Sequence, residues 1–379
     1  MSLRQKIEQE IRERGLISFS RYMEMCLYDP ELGYYSRNAE QFGKAGDFYT
    51  SSDVHAVFGR LLARQFEEMW RVFGSPSQIE LLELGPGRGL FAQDVLDWTE
   101  KKFSEFFSVL HYSLLEKSGA LRARLRSTLK ERLEAGKASL VEQGRTLASE
   151  VPVIVFANEF FDALPVEVLS PEGSLSLDVA NGRFVERWKA PSAQELEFLH
   201  QYGVRPQAGE RIEVPLVAQA FMSEITAKIE NGFILVIDYG YAREEQLAGR
   251  HRGTIQAFRR HSVSASPYEA PGEQDITAHV NFTPLAAAAR ANGMEVQPLL
   301  TQSQFLMGVG EANQFADAFE ECRLPQERAK VALQLKHLVT PAGMGESFHV
   351  LVAGKGEMTR PAATLSGMSF GKEKTLSSR

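Results

Sequence analysis

The chain has 379 residues, 44% of them hydrophobic and 24% charged, which is enough for a full core and long for one simple domain. A net charge of −7 argues against a duplex-binding protein, which needs a basic face, so no nucleic-acid partner is expected. No apolar run approaches the roughly 20 residues that span a bilayer, and Met1 to Glu8 lack the hydrophobic core of a signal peptide. A soluble, cytoplasmic protein without membrane insertion is therefore expected. Cys26 and Cys322 stand far apart, without CxxC spacing or a neighbouring His pair, which predicts two buried free thiols and no metal site.

Ile7 to Arg14 and Phe19 to Tyr28 read as short amphipathic helices ended by the Pro/Gly turn of Asp29 to Tyr35. With the Gly-rich loop that follows, they make an N-terminal helical cap and substrate loop, residues 1–53. From Val54 to Val72, apolar residues recur at helical spacing, and Ile79 to Leu84 is an apolar strand. Phe91, Val95 and Trp98 mark the next helix, His111 to Leu115 a second strand, Leu121 to Leu133 a basic helix and Val151 to Ala157 a buried strand. These belong to the first part of a core, residues 54–168. Leu169 to Pro215 breaks the alternation: Ser174 to Val179 and Arg183 to Trp188, joined by Asn181-Gly182, predict a β-hairpin in an inserted substrate lobe, residues 169–230. Gly232 to Asp238 is again an apolar run ending in an acid. An Ala-rich helix from Phe282 to Asn292, a strand from Glu295 to Thr301 and a last strand from Ser347 to Ala353 complete the second part of the core, residues 231–356, with an insertion near 241–282. Residues 357–379 read as a flexible tail. Buried strands alternating with helices predict an α/β, doubly wound parallel sheet with its site at the carboxyl edge, and a late antiparallel pair would bring it to seven strands.

The chemistry concentrates at the first core strand. Gly85, Gly87 and Gly89 alternate, removing the Cβ atoms that would keep a nucleoside from the backbone amides, and the following helix points its N-terminal dipole at the same spot. Position 90 is Leu where a dinucleotide fingerprint wants glycine. Glu83 places an anion where phosphate would want none, so a cationic nucleoside such as S-adenosylmethionine is favoured. Glu116 lies 27 residues beyond Gly89, at the end of the next strand, where a carboxylate can accept both ribose hydroxyls.

Asn158-Glu159-Phe160-Phe161-Asp162-Ala163-Leu164-Pro165 is the second constellation. Two carboxylates three apart, after a buried strand and beside aromatics, suit recognition of a cation or activation of an amine-type nucleophile; alternatively Asn158 or Asp162 caps a helix. The loop containing Gly46, Asp47, Tyr49 and Thr50 could fold over a ligand or simply link cap to core. Asp275 and His279 stand four apart, adjacent if helical, and read more readily as a structural hydrogen bond than as a base. Arg259-Arg260-His261 reads as a solvated face.

Taken together, Glu-Leu-Gly-Pro-Gly-Arg-Gly, Asn-Glu-Phe-Phe-Asp-Ala-Leu-Pro, Gly-Asp-Phe-Tyr-Thr, Gly-Glu-Gln-Asp-Ile-Thr-Ala-His-Val and Thr-Pro-Ala-Gly-Met-Gly resemble the MidA-like family of class I S-adenosylmethionine-dependent methyltransferases. The resemblance runs from about Ile17 to Gly354. It implies a Rossmann-like class I methyltransferase sheet with an added substrate lobe and, for the mitochondrial members, which act in respiratory complex I assembly, a protein arginine as acceptor. It assigns Glu83, Gly85, Gly87, Gly89, Glu116 and Asn158 to the cofactor, and Glu159, Asp162 and the Gly46 to Ser51 loop to the acceptor. Gln143-Gly144-Arg145-Thr146 stands where the family usually shows His-Asp-Ser-Leu, and Asn281 replaces an aspartate. The expected activity is S-adenosylmethionine-dependent methylation of a protein substrate, with arginine the preferred acceptor and a homodimer allowed. The rival readings are a small-molecule methyltransferase, a nonenzymatic assembly factor that keeps the pocket, and a nicotinamide oxidoreductase, which the missing GxGxxG disfavours.

Overall fold

The computed structural model describes residues 1–37, 56–148, 150–242, 252–259, 262–264, 266–356 and 362–372. The chain divides into two compact units. One, the core unit, contains residues 49–160, 223–240 and 289–379; the other contains residues 1–48, 161–222 and 241–288.

The core unit is built on one sheet. Its strands are β1 (Ile79–Leu84), β2 (Leu110–Leu115), β3 (Ala138–Val141), β4 (Val153–Asn158), β5 (Gly232–Tyr241), β6 (Glu295–Val296), β7 (Leu300–Thr301) and β8 (Phe348–Lys355). A seven-strand path runs β6-β8-β5-β4-β1-β2-β3, and β7 also pairs with β8. The pairs β3-β2, β2-β1, β1-β4 and β4-β5 are parallel, whereas β8 is antiparallel to β5 and to the short edge strands. This is the doubly wound sheet with an antiparallel edge that the sequence predicts. The parallel strands are apolar on both faces because helices cover both. The expected strand from Glu295 to Thr301 is two pieces, since Pro298 has no N–H to continue the ladder.

Helix α1 (Ala56–Val72) packs with α2 (Leu90–Lys102) on this sheet through Phe58, Phe66, Phe91 and Phe156, all buried. The Phe91 and Phe156 rings stack with centroids 4.6 Å apart. Such a pair adds about 0.5–1.5 kcal/mol beyond its burial. The predicted helix from Leu121 to Leu133 is interrupted: Gly119–Thr128 and Lys130–Glu134 meet at Leu129, whose backbone is outside the helical region. Residues 362–372, expected as part of a flexible tail, instead bury Ala362, Leu365 and Met368 in the core of this unit. The Ser366 N–H and hydroxyl donate to Glu68 on α1 at 2.9 and 2.7 Å, and the Gly367 N–H donates to Gln65.

The other unit gathers the N-terminal cap, the lobe and the later insertion around one hydrophobic cluster. Leu3, Ile7, Phe19 and Tyr22 from the cap meet Leu175 and Leu177 from the lobe and Ala257 and Ile276 from the insertion. Its hairpin, Gly173–Ala180 with Arg183–Lys189, turns at Asn181 and Gly182, both in the left-handed region, as the Asn-Gly pair dictates. Cys26 is buried here, and burial pushes its thiol up to about 12. Cys322 corrects the expectation of two buried thiols, because it is only half-buried. Among the described residues no helix is long and apolar enough to cross a membrane, and no group of three or more His, Cys, Asp or Glu could hold a metal ion.

Candidate functional site

In the core unit the sheet register sets Leu84 beside Leu115 and Ala157, and Asn158 beside Ile237. The carboxyl ends of β1, β2, β4 and β5 therefore share one edge, and the polar residues that end these strands collect there.

The chain turns from β1 into α2 through Gly85, Gly87 and Gly89, all at positive φ (65°, 54° and 80°). The turn is tied down by Gly85 N–H to the Leu115 carbonyl at 3.0 Å and Gly89 N–H to the Pro86 carbonyl at 2.8 Å. A Cβ on Gly85 would lie 2.8 Å from the Phe160 ring, and one on Gly89 would lie 2.7 Å from Leu125; one on Gly87 would meet no heavy atom of the described residues within 4 Å. Two of the glycines are required by the protein's own packing, and the third faces a space that no described residue fills.

Glu83 and Glu116 flank the turn, both buried. Glu83 accepts the Tyr112 hydroxyl at 2.8 Å, and burial, opposed by that bond and reinforced by the charge of Glu116, pushes it up to about 8. Glu116 is pushed up to about 7 by burial, against the N–H groups of Ser118, Gly87 and Lys117 that donate to it. No ion pair among the described residues neutralises either one. Two buried acids compensated by hydrogen bonds and, at Glu116, by the nearby Arg122 charge, yet both still held above their usual range, fit a ligand that brings its own positive charge and hydroxyl donors.

At the end of β4, Glu159 has φ 50°, the left-handed region that non-glycine residues rarely adopt. Its N–H donates to the Ile237 carbonyl, and its Oε1 accepts from Asn158 Nδ2 at 3.1 Å. The next N–H, of Phe160, donates to the fully buried Asp238 on β5 at 3.2 Å. The turn is thus held from β5, and it lays the Phe160 ring against Gly85. Asn158 Oδ1 is buried with no hydrogen-bond partner among the described residues. No helix follows, so neither Asn158 nor Asp162 is an N-cap.

Asp162 lies in the other unit, buried, with its carbonyl accepting from Ala278 N–H at 3.0 Å. In that unit Tyr35 donates to Asp275 at 2.9 Å; burial, then Asp275, Tyr28 and Asp162, push the Tyr35 hydroxyl well above its usual range. Asp275 is on a strand, Asp275–Thr277, so it and His279 are not neighbours on a helix face. Asn281 accepts from Thr283 N–H at the start of the helix Phe282–Ala291 and so works as a neutral cap. In the departing stretch after β3, Arg145 pairs with Glu80. Gly46, Asp47, Tyr49 and Thr50 lie outside the described residues.

Six of the seven residues at the core edge (Glu83, Gly85, Gly87, Gly89, Glu116, Asn158 and Glu159) are those assigned to the cofactor, with Glu159 from the acceptor set beside them. Sequence reasoning missed Tyr112 as a site component, noted Phe160 only as an aromatic beside the two carboxylates, and noted Asp238 only as a strand end. The recurrence of an apolar run closed by an acid at Asp238 was the available signal. Tyr112 had none, since it occupies an ordinary buried strand position.

Residues 61–300 match the sequence model of a family of S-adenosyl-L-methionine-dependent methyltransferases. The chain belongs to this methyltransferase family. The mitochondrial protein arginine methyltransferase NDUFAF7 of Mus musculus is 30% identical to it, over 90% of this chain and 81% of that protein. The Drosophila melanogaster homologue is 29% identical over 94% and 85%. A crystal structure from Burkholderia thailandensis with S-adenosyl-homocysteine bound superposes with a TM-score of 0.80 at 28% identity, covering 93% of this chain and 92% of that one. The protein is a methyltransferase of Rossmann-like fold that uses S-adenosylmethionine.

Proposed function

We propose that this methyltransferase acts on an arginine side chain of a protein substrate. The observation that carries the reading is Glu159, a carboxylate held in a strained left-handed turn at the carboxyl edge by contacts from β5, beside the glycine turn. Strain of this kind, about 1–3 kcal/mol, persists where the surroundings over-determine it and is concentrated at functional sites. The names of the NDUFAF7 relatives support arginine as the acceptor.

In this reading Glu83 and the amides of the glycine turn would hold the methionine end of the donor, Glu116 would accept from the ribose hydroxyls, and Asn158 would contribute to the methionine side. Bound S-adenosylmethionine supplies a methyl group on a positively charged sulfur. The protein's task is positioning, desolvation and removal of a proton. Glu159 would localise the guanidinium charge, orient one nitrogen for in-line attack and take the proton that nitrogen loses as its bond to the methyl carbon forms and the bond from that carbon to sulfur breaks.

The test is incubation of the protein with radiolabelled S-adenosylmethionine and a cell extract, followed by identification of the labelled residue. Label on a protein arginine is expected, with Glu159→Gln lowering incorporation by about 100-fold or more, the range of a positioned proton acceptor, while binding of S-adenosylmethionine stays near that of the wild type. Label confined to a small molecule, or on lysine, would overturn the acceptor assignment.

A further inference from the structure

We infer that Tyr112 is a positioning residue of the donor site: its hydroxyl fixes the Glu83 carboxylate so that one oxygen is kept for the ammonium of S-adenosylmethionine. The inference rests on the assignment of Glu83 to the methionine end and adds a residue to that site.

Tyr112 is fully buried on β2, and its register partner on β1 is Leu81, two residues before Glu83. Glu83 itself pairs with Leu114. The tyrosine side chain therefore crosses diagonally to the end of β1 and donates to Glu83 Oε2 at 2.8 Å. A Tyr hydroxyl has one proton, and this one is committed to Oε2. Oε1 has no hydrogen-bond partner among the described residues.

A core that needed only volume here would use Phe and Leu, and it would avoid placing a buried carboxylate against a buried hydroxyl. The pair makes sense as a prepared half-site. One oxygen is immobilised from within the sheet, which fixes the carboxyl plane, and the other is presented at the strand end. The titratable groups that face Glu83 are Tyr112 on β2 and Glu116 just past the end of β2; on β4, its register partner is Phe156. The Tyr112 bond favours the ionised carboxylate, while burial and Glu116 oppose it. Removing the hydroxyl should therefore make Glu83 harder to ionise, and a cationic ligand should bind less well at neutral pH, with the deficit closing as pH rises.

The experiment is calorimetric titration of S-adenosylmethionine from pH 6.5 to 9 into the wild type, Tyr112→Phe, Glu83→Gln and the double variant. Phe keeps the ring and its packing. The ratio of variant to wild-type Kd cancels the titration of the ligand's own amine. For Tyr112→Phe the ratio should be about tenfold at pH 7, falling to about twofold at pH 9, as an upward shift of about one pH unit in Glu83 requires. In the Glu83→Gln background the same substitution should change Kd by less than about twofold. A loss that does not vary with pH, or one that persists in the Glu83→Gln background, would show a purely structural role and overturn the inference. If Glu83→Gln binds less well but Tyr112→Phe binds like the wild type, the role of Tyr112 fails and that of Glu83 stands. If Glu83→Gln itself binds like the wild type at every pH, both fail.

Discussion

Glu83 carries opposite demands. A carboxyl whose folded value is raised from 4.5 to about 8 keeps a proton that the unfolded chain releases, so it lowers stability progressively as pH climbs between those values and costs nothing below pH 4, where both states are protonated. The ligand-free Glu83→Gln variant should then melt at least about 3 °C above the wild type at pH 8 and level with it at pH 4, a shift that scanning calorimetry resolves. Its S-adenosylmethionine affinity should fall at the same time, the stability-for-function trade expected of a binding carboxylate. An equal melting temperature at pH 8 would mean that Glu83 is compensated by something other than the ligand. Glu83 and Glu116 were legible in the sequence because an acid ending an apolar run violates the pattern around it. Tyr112 conforms to its strand and was invisible for that reason, since a hydroxyl that crosses from one strand to the next leaves no local trace.

Among the elements, the glycine turn separates packing from ligand contact. Alanine at any of its three glycines must adopt positive φ, at a cost of about 1–2 kcal/mol. At Gly85 the new methyl also runs into Phe160 at 2.8 Å, whereas at Gly87 it meets nothing among the described residues. Gly85→Ala should therefore lose markedly more stability in denaturant unfolding than Gly87→Ala. Gly87→Ala should still weaken S-adenosylmethionine binding by about tenfold or more, because its methyl enters the space a nucleoside would use. Unchanged binding in Gly87→Ala would remove that glycine from the site. The turn, the strands around it and the Asn-Gly hairpin were legible because glycine and periodicity act over a few residues. The sequence reading missed the break at Pro298 and the interruption at Leu129, where one residue's backbone overrides an otherwise continuous apolar pattern.

At the scale of the molecule, the cap, the lobe and the later insertion were read as three pieces and are one unit. Their shared cluster joins Ile7, Leu175 and Ile276, residues so distant in sequence that no local periodicity links them. The same limitation hid residues 362–372, whose Ser, Gly and Lys content resembles a solvated tail although Leu365 and Met368 are buried. Leu365→Ala should cost about 2–5 kcal/mol in urea unfolding, the usual range for a truncated core leucine, and a loss below about 0.5 kcal/mol would show that the segment is dispensable.

The bonds from Ser366 to Glu68 close a loop of 298 residues. At a ribosomal rate of roughly 5–20 residues per second, helix α1 waits about 15–60 s after its synthesis before the segment that covers it exists. During that interval Gln65 and Glu68 lack their partners at Ser366 and Gly367 and the neighbouring apolar face is incompletely covered, so the period of greatest exposure to aggregation falls while the chain is still being made, and its length is set by translation speed.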